Sequence, residues 1–367
     1  MNTTLLWLLA LPIFIALVIF IIHRKYQVAI AICAGYALAS LVIIGAMFMV
    51  SKGVKTMDTE IWNGQITSKS RVHGEYQQSY QCNCTSSRDS SGNTTTTCQT
   101  CYEDHYTVKW SCESTVGGFT IKSLDKTTKR VYNTPDPDRY TVIQPGDPAA
   151  RQHGYTNYVQ AVPNSLFTPA AADLKEKFKP LLPKYPIDVY DFYKLDRFIT
   201  IGGFGGNGID HAAWNEDISN GLRVLGPKKQ VNAIVVIAKT NDPNYEYALR
   251  DAWEGVNKND VVLIIGSTEY PKIDFVRVLS WTKSEIFKIE LRDAVMEKGV
   301  IDRDIVPLMM AQIEKNFERR HMKEFEYLDG EIDPPDWMIY LILTLVIIGA
   351  IGAFIMIPKI DTPYRRF

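Results

Sequence analysis

Hydrophobic and polar positions are segregated along this chain rather than interleaved. Residues 5–22 carry no charge over 18 positions, residues 28–50 none over 23, and residues 337–357 none over 21. About 20 apolar residues rising 1.5 Å each cross a hydrocarbon core of about 30 Å, so each run predicts a membrane-spanning helix. A polar stretch of 286 residues, 51–336, separates the second run from the third. The first run does not read as a cleaved signal peptide. Residues 1–4 hold no basic side chain and His23-Arg24-Lys25 follows the run, the reverse of a signal peptide's charge order.

Orientation follows from basic residues in short segments, which stay in the cytoplasm. Arg24 and Lys25 lie between the first two runs, and Lys359, Arg365 and Arg366 lie in the last ten residues. Both segments are therefore placed inside, and residues 51–336 outside. Lys52 and Lys55, just beyond the second run, are the exceptions.

Within the polar stretch the periodicity changes twice. Short strand-like pieces at 106–110, 118–121 and 139–143 are separated by Gly117-Gly118, Pro135-Asp136-Pro137-Asp138 and Pro145-Gly146-Asp147-Pro148, which is turn chemistry. A helix over 170–182 is ended by Pro183. From Asp196 strands alternate with helices. Strands are predicted at 197–201, 231–238, 261–265 and 273–281, and helices at 212–225 (stopped by Gly226-Pro227), 245–256, 284–297 and 304–327. This alternation predicts an α/β sandwich on a mixed sheet. The expected fold class is a membrane-anchored α+β protein. Its segments are 1–50 (two spans), 51–168 (a β-rich cysteine-containing module), 169–195 (linker), 196–330 (α/β domain), 337–357 (span) and 358–367 (cytoplasmic tail).

Composition narrows the function classes. Lys+Arg number 40 against 41 Asp+Glu, so the basic excess of a nucleic-acid binder is absent. The outer segment alone holds 35 basic and 40 acidic residues, about -5. A cytosolic enzyme is excluded by the spans. The expected partners are the bilayer and a protein at the envelope, with assembly of several copies left open.

Five of the six cysteines cluster as Cys82-Asn-Cys84, Cys98-Gln-Thr-Cys101 and Cys112, while Cys33 lies in a span. The polar loop between the two pairs and its β-prone flanks predict a hairpin that brings the pairs together. Cys82, Cys84, Cys98 and Cys101 then have two uses. Four thiolates bind a structural Zn²⁺ tetrahedrally, or an oxidising compartment links them as two cross-strand disulfides. Cys112 is the odd thiol in either case.

Two further features bear on chemistry. Gly203 to Gly208 spells G-x-G-x-x-G between a strand and a helix, but no acidic residue follows about 20 residues later. No nucleotide cofactor is expected. Carboxylates collect near strand ends, and Asp242, Asp251 and Asp260 are the candidate cation or ligand site, with Ca²⁺ the cation such oxygen donors suit. Helix capping competes for Asp242. No catalytic residue is assigned.

Two resemblances rest on particular residues. The hydrophobic strand 231–238, Tyr247-Ala248-Leu249-Arg250-Asp251-Ala252-Trp253 on a helix, Asn259-Asp260 before a second hydrophobic strand, and Asp304-Ile305-Val306-Pro307 together resemble the TPM domain. That is a membrane-tethered α/β module found outside bacterial membranes and in chloroplast lumens. The likeness covers 231–317 and implies that fold and location, with a divalent-cation-dependent phosphohydrolase as the activity to consider. Separately, the block 82–104, Pro135-Asp136-Pro137-Asp138-Arg139-Tyr140, Gly146-Asp147-Pro148 and Tyr155-Thr156-Asn157-Tyr158 are similar to a family of membrane proteins of large tailed bacteriophages. This implies the inner membrane of a host bacterium, with 51–336 periplasmic and the C-terminus cytoplasmic. The function expected is an extracytoplasmic binding or scaffold protein at the host envelope, with the phosphohydrolase as alternative.

Overall fold

The computed structural model describes residues 3–88, 90, 92, 94–162, 172–189, 194–204 and 208–361. In chain order the elements are α1 (Thr3–His23), α2 (Ala29–Thr56), β1 (Met57–Arg88), β2 (Thr94–Ser114), β3 (Phe119–Lys126), α3 (Asp138–Val142), β4 (Pro148–Thr156), α4 (Ala172–Phe178), β5 (Phe198–Ile201), α5 (His211–Lys229), β6 (Asn232–Ala238), α6 (Tyr245–Ala252), β7 (Asp260–Gly266), β8 (Phe275–Ser280), α7 (Glu285–Lys298), α8 (Ile305–Asn316) and α9 (Asp336–Asp361). The fold is mixed α+β. Its chain divides into two compact units, one of Met1–Glu60, Gly154–Ala172 and Arg320–Phe367, the other of Ile61–His153 and Asp173–Arg319.

The first unit contains the three helices long and apolar enough to cross a membrane, Thr3–His23, Ala29–Thr56 and Asp336–Ile360. They pack along one stripe made of Leu8, Ala16 and Ile19 on α1, Cys33, Tyr36 and Ile44 on α2, and Ile342, Val346 and Ala353 on α9. Phe14, Leu17, Ile21, Val42 and Ile348 remain exposed on the outside. Apolar side chains all round are what a bundle solvated by lipid shows, not one solvated by water. Tyr36 Oη donates to the Val346 carbonyl at 3.1 Å, which satisfies a polar group inside the bundle.

The two ends of the bundle differ. At one, His23 meets Phe354 edge-on at 4.5 Å, beside Arg24 and Lys25. At the other, where α1 and α9 begin, Trp7, Trp337 and Tyr340 are exposed, as interfacial aromatics are. Lys52 pairs there with Asp329, and Lys55 donates to the Asp333 carbonyl at 2.7 Å. These contacts account for two lysines that run against the orientation rule, because each has a local acceptor. Asp58 accepts from Tyr155 Oη (2.6 Å) and from the buried Asn157 amide (2.8 Å) in the same unit.

The strands form two four-stranded sheets, ordered β3-β2-β1-β4 and β5-β6-β7-β8, which belong to the second unit except for the first residues of β1 and the last of β4. In the first, β1 pairs antiparallel with β2, and β2 with β3. Its small core includes Ile66, Cys112, Ile143 and Ala149, with Val108, Trp110 and Val131 beside it. Trp110 Nε1 donates to Asp136 at 2.7 Å, and Arg71 holds the same carboxylate at 3.0 Å. In the second sheet β5, β6 and β7 run parallel and β8 antiparallel. Alternate residues of β6 and β7 serve opposite layers. Val235, Ile237, Leu263 and Ile265 face α5, α7 and α8, whereas Ile234, Val236, Val262 and Ile264 face α6 and Phe178.

The piece 139–143, expected as a strand, is instead the short helix α3, and four helix ends differ from the pattern-based boundaries, α6 stopping at Ala252 rather than 256. α5 runs through Gly226-Pro227 to Lys229 and stops at Gln230, which is left-handed (φ 50°). A proline in the last turn removes one amide and leaves the rest of the ladder intact. α8 ends at Asn316 rather than continuing to 327, because residues 317–318 are drawn aside. Thr282 Oγ1 and Lys283 N both donate to the Glu318 carbonyl. A separate 3₁₀ stretch then covers Met322–Glu331. α4 is shorter than the predicted 170–182 and yields to a single 3₁₀ turn, Lys179–Leu181. Residues 170 and 171 lie outside the described residues.

Gly226 is in contact range of the Asn63 backbone, and a Cβ there would overlap the Asn63 carbonyl oxygen. Gly226→Ala is expected to destabilise the second unit by about 1–3 kcal/mol, the ordinary range for overpacking. A denaturation midpoint measured on the purified chain checks this.

Candidate functional site

β1 and β2 stay paired from Ile66↔Ser114 to Arg88↔Thr94, but β3 covers β2 only from Tyr106 to Cys112. β4 approaches β1 near its start, where Ile66 N bonds the Asp147 carbonyl. From Glu75 on one strand and His105 on the other, the two strands continue alone. At about 3.3 Å per residue, 75–88 forms a ribbon of about 40 Å. Its side chains are almost all exposed on both faces.

A lone two-stranded ribbon is marginal in water, so something must hold it. At its root Tyr76 stacks on His105 at 5.1 Å. Asp125 on β3 accepts from Tyr76 Oη at 2.6 Å and contacts His105 Nδ1 at 2.7 Å. The bonds from Tyr76 and then His105 draw the Asp125 carboxyl below its ordinary range, and the same carboxylate pushes the Tyr76 phenol up. Towards the tip, disulfides join Cys82 to Cys101 and Cys84 to Cys98. Of the two uses open to these four cysteines, the structure carries the disulfides. A one-residue bulge on β1 between Cys82 and Thr85 lies beside them, with Asn83 at φ 48°. Cys112 is the unpaired thiol and is fully buried in the β core, where desolvation raises its pKa.

Tyr80 and Tyr102 project from the ribbon at 50% and 66% exposure. Around them are Gln, Ser, Thr and Asn, some already cross-linked, as in Gln77 to Asp104 (3.0 Å) and Asn83 to Gln99 (3.1 Å). Tyrosines amid small hydroxyl and amide side chains are the composition of protein-binding loops, which combine rigid contact area with adaptable hydrogen bonding. Tyr80 and Tyr102 escaped the pattern reading because alternation shows a strand without showing whether either face is covered.

The three candidate carboxylates occupy different places. Asp242 follows β6 and pairs with Lys177 at 2.5 Å, also accepting from Asn244 N at 2.9 Å. Asp251, on α6, pairs with Lys175. Asp260 opens β7 at the opposite, amino end of the parallel strands and is fully buried. It accepts from Asn232 Nδ2 (2.9 Å), Tyr185 Oη (2.7 Å) and Asn257 N (2.9 Å). Asn232 in turn accepts from the buried Arg197, whose other nitrogens reach Asn63 and Ser219. Asp260 thus belongs to a polar network that ties β1, β5, β6 and β7 together.

The Lys177 hydrogen bond, followed by that from Asn244 N, lowers the Asp242 pKa. A depressed carboxylate stabilises the fold above its unfolded value of about 3.9, and the contribution is lost as pH falls through the lowered one. Asp242→Asn is therefore expected to lower stability slightly at pH 7, by about 1 kcal/mol or less for so exposed a pair, and to leave it unchanged once pH has fallen below the lowered pKa. Thermal melts across that range check the sign.

Gly202 and Gly203 have φ of 96° and 98°, and a Cβ on Gly202 would meet Lys239 Cβ at 2.6 Å, so this glycine serves close backbone packing. Residues 205–207 of the Gly-rich turn lie outside the described residues. Two clefts flank α5. One of about 780 Å³ lies against α8, with Arg303 bidentate on Asp217, and one of about 590 Å³ runs beside residues 194–196, with His211 on its wall. Among the described residues no group of three or more metal-ligating side chains converges. Compared with family models, curated proteins and solved structures, the chain matches none, so its own residues carry the functional argument.

Proposed function

We propose that this is a membrane-anchored binding protein whose disulfide-stapled ribbon engages a protein partner outside the cytoplasm. The observation that carries the reading is a two-stranded arm of about 40 Å, exposed on both faces, which two disulfides reinforce near its tip. An arm of this kind adds nothing to the core it leaves, and its Tyr, Gln, Ser and Thr surface suits recognition. Disulfides belong to an oxidising compartment, which agrees with the orientation that Arg24, Lys25 and Lys359 favour. On this reading the membrane is a bacterial inner membrane, residues 51–336 are periplasmic and the C-terminus is cytoplasmic. A phage-encoded protein acting on its host's envelope is the setting.

The phosphohydrolase alternative draws no support from Asp242, Asp251 and Asp260, two of which are held by lysines while the third is buried at the far end of the sheet. The test places a photo-activatable side chain at Tyr80 or Tyr102 in the full chain, produced in cells, with Lys122 on β3 as control. The expected result is one and the same protein captured from both ribbon positions and not from the control. No adduct from either position overturns the binding role, as does phosphomonoester turnover by the full chain with Ca²⁺ or Mg²⁺ that Asp242→Asn abolishes.

A further inference from the structure

The ribbon leaves a strand edge open. β1 is paired with β2 along one side, and β4 lies along its other side only up to Ile66. The Gly74 carbonyl is taken by Tyr132 Oη at 3.0 Å. Beyond it, among the described residues, no strand lies against the outer edge of β1 from Glu75 to Arg88. Soluble proteins protect such edges with charge, proline or glycine-rich breaks, because unpaired amides and carbonyls template another strand. Residues 76–87, Tyr-Gln-Gln-Ser-Tyr-Gln-Cys-Asn-Cys-Thr-Ser-Ser, contain no charge, no proline and no glycine.

The flanks of this neutral run are opposite in sign, Glu75 at one end and Arg88 at the other. An edge laid antiparallel on an identical edge brings Glu75 of each copy to Arg88 of the other, whereas a parallel arrangement sets like against like. The bulge decides the register. Counted as one step, the extra residue between Cys82 and Thr85 leaves thirteen pairing positions from Glu75 to Arg88, with Gln81 in the middle. An odd number lets both ends match while inward- and outward-pointing backbone groups stay in phase, because opposed residues must share one orientation. The β2 edge lacks this property. Its neutral stretch 94–102 runs into Glu103 and Asp104 with no base at the other end.

We infer that the β1 edge between Glu75 and Arg88 pairs antiparallel with the same edge of a second copy of this chain, forming a two-fold symmetric dimer through the ribbon. Gln81 meets its own copy on the axis, and two Glu75–Arg88 pairs close the ends. The arrangement is isologous, the commonest symmetry among oligomers. Present partners do not stand in the way. Glu75 is 3.6 Å from Lys129 and 3.2 Å from Tyr132 Oη, and Arg88 Nε reaches the Gly92 carbonyl at 3.2 Å. Exposed contacts of this sort are worth about 1 kcal/mol or less and are exchanged readily. Anchoring in a bilayer confines copies to a plane and raises their effective concentration. The inference rests on the membrane-anchored reading above and names one occupant of its arm.

The test uses purified full-length protein, unreduced, in micelles and in phospholipid vesicles, with a photo-crosslinking side chain at Gln81. A covalent dimer is expected. Glu75→Arg alone and Arg88→Glu alone each set like charges opposite one another across the axis and should cut its yield about tenfold. Combining E75R with R88E should restore it to within about twofold of the parent, which a folding defect would not do. A monomer throughout, single reversals without effect, or a double variant that stays monomeric overturns the dimer. A probe that captures a different protein in cells while the purified chain stays monomeric overturns the dimer and leaves the binding role. A dimer with no other protein captured does the reverse.

Discussion

Replacing Asp260 by alanine is expected to cost the second unit about 3–5 kcal/mol, well above the loss expected from Gly226→Ala or Asp242→Asn. The side chain is fully buried, and three donors lose their acceptor at once, the Asn232 amide, the Tyr185 hydroxyl and the Asn257 amide. The second consequence is electrostatic. Arg197, 1% exposed, is linked to Asp260 through Asn232, so removing the carboxylate takes a negative charge out of the surroundings of a buried guanidinium. Weakening the compensation of a buried charge is more costly than losing an exposed pair. Tyr185→Phe removes two bonds of the same network, the one donated to Asp260 and the one accepted from Asn257 Nδ2, and should cost about 1–3 kcal/mol. The measurement is a denaturant midpoint for both variants, read by Trp fluorescence. A loss below about 1 kcal/mol for Asp260→Ala would show that the network is not a structural keystone.

Reducing Cys82–Cys101 and Cys84–Cys98 is expected to release the ribbon while leaving the α/β sheet folded. Closing a loop of about 15 residues removes about 3 kcal/mol of chain entropy from the open state. These two bridges span separations of 19 and 14 residues. Little else holds this region, since few of its side chains are buried and its other reinforcement, the Tyr76–His105–Asp125 cluster, sits at the root. Amide exchange should accelerate in residues 77–88 and 94–104 and stay slow in β6 and β7, whose side chains are entirely buried. Unchanged exchange after reduction would mean that the strands hold without the bridges. Adding Zn²⁺ to the reduced chain tests the other use of the same four sulfurs. Stoichiometric uptake with renewed protection of the ribbon would show that the geometry serves a metal as well.

Much of the architecture was legible because it depends on local solvation. A run of 18 or more uncharged residues is incompatible with water wherever the chain goes, and all three such runs became helices of spanning length. The buried strands 231–238 and 261–265 were legible for the same reason, being apolar runs, the first broken by Asn232 alone, that a sheet covered on both faces requires. Helix ends were less so. The stop after Asn316 depends on Thr282 and Lys283, which lie more than 30 residues earlier and are close only in three dimensions.

The candidate site shows the same division. Cysteine spacing told which residues would meet, since a hairpin brings its two ends together whatever lies beyond them. It did not tell which sulfur joins which, because that depends on a bulge at Asn83. Asp242, Asp251 and Asp260 read alike in one dimension as acids near strand ends. Their separation into two lysine pairs and one interior anchor required the sheet order and the Arg197 network. By itself, then, the sequence determined what each stretch dissolves in, lipid, water or core, because transfer free energy is a sum over neighbouring residues. Only the tertiary structure decided which strand runs on uncovered and which carboxylate is sealed inside, because both depend on what distant parts of the chain place alongside.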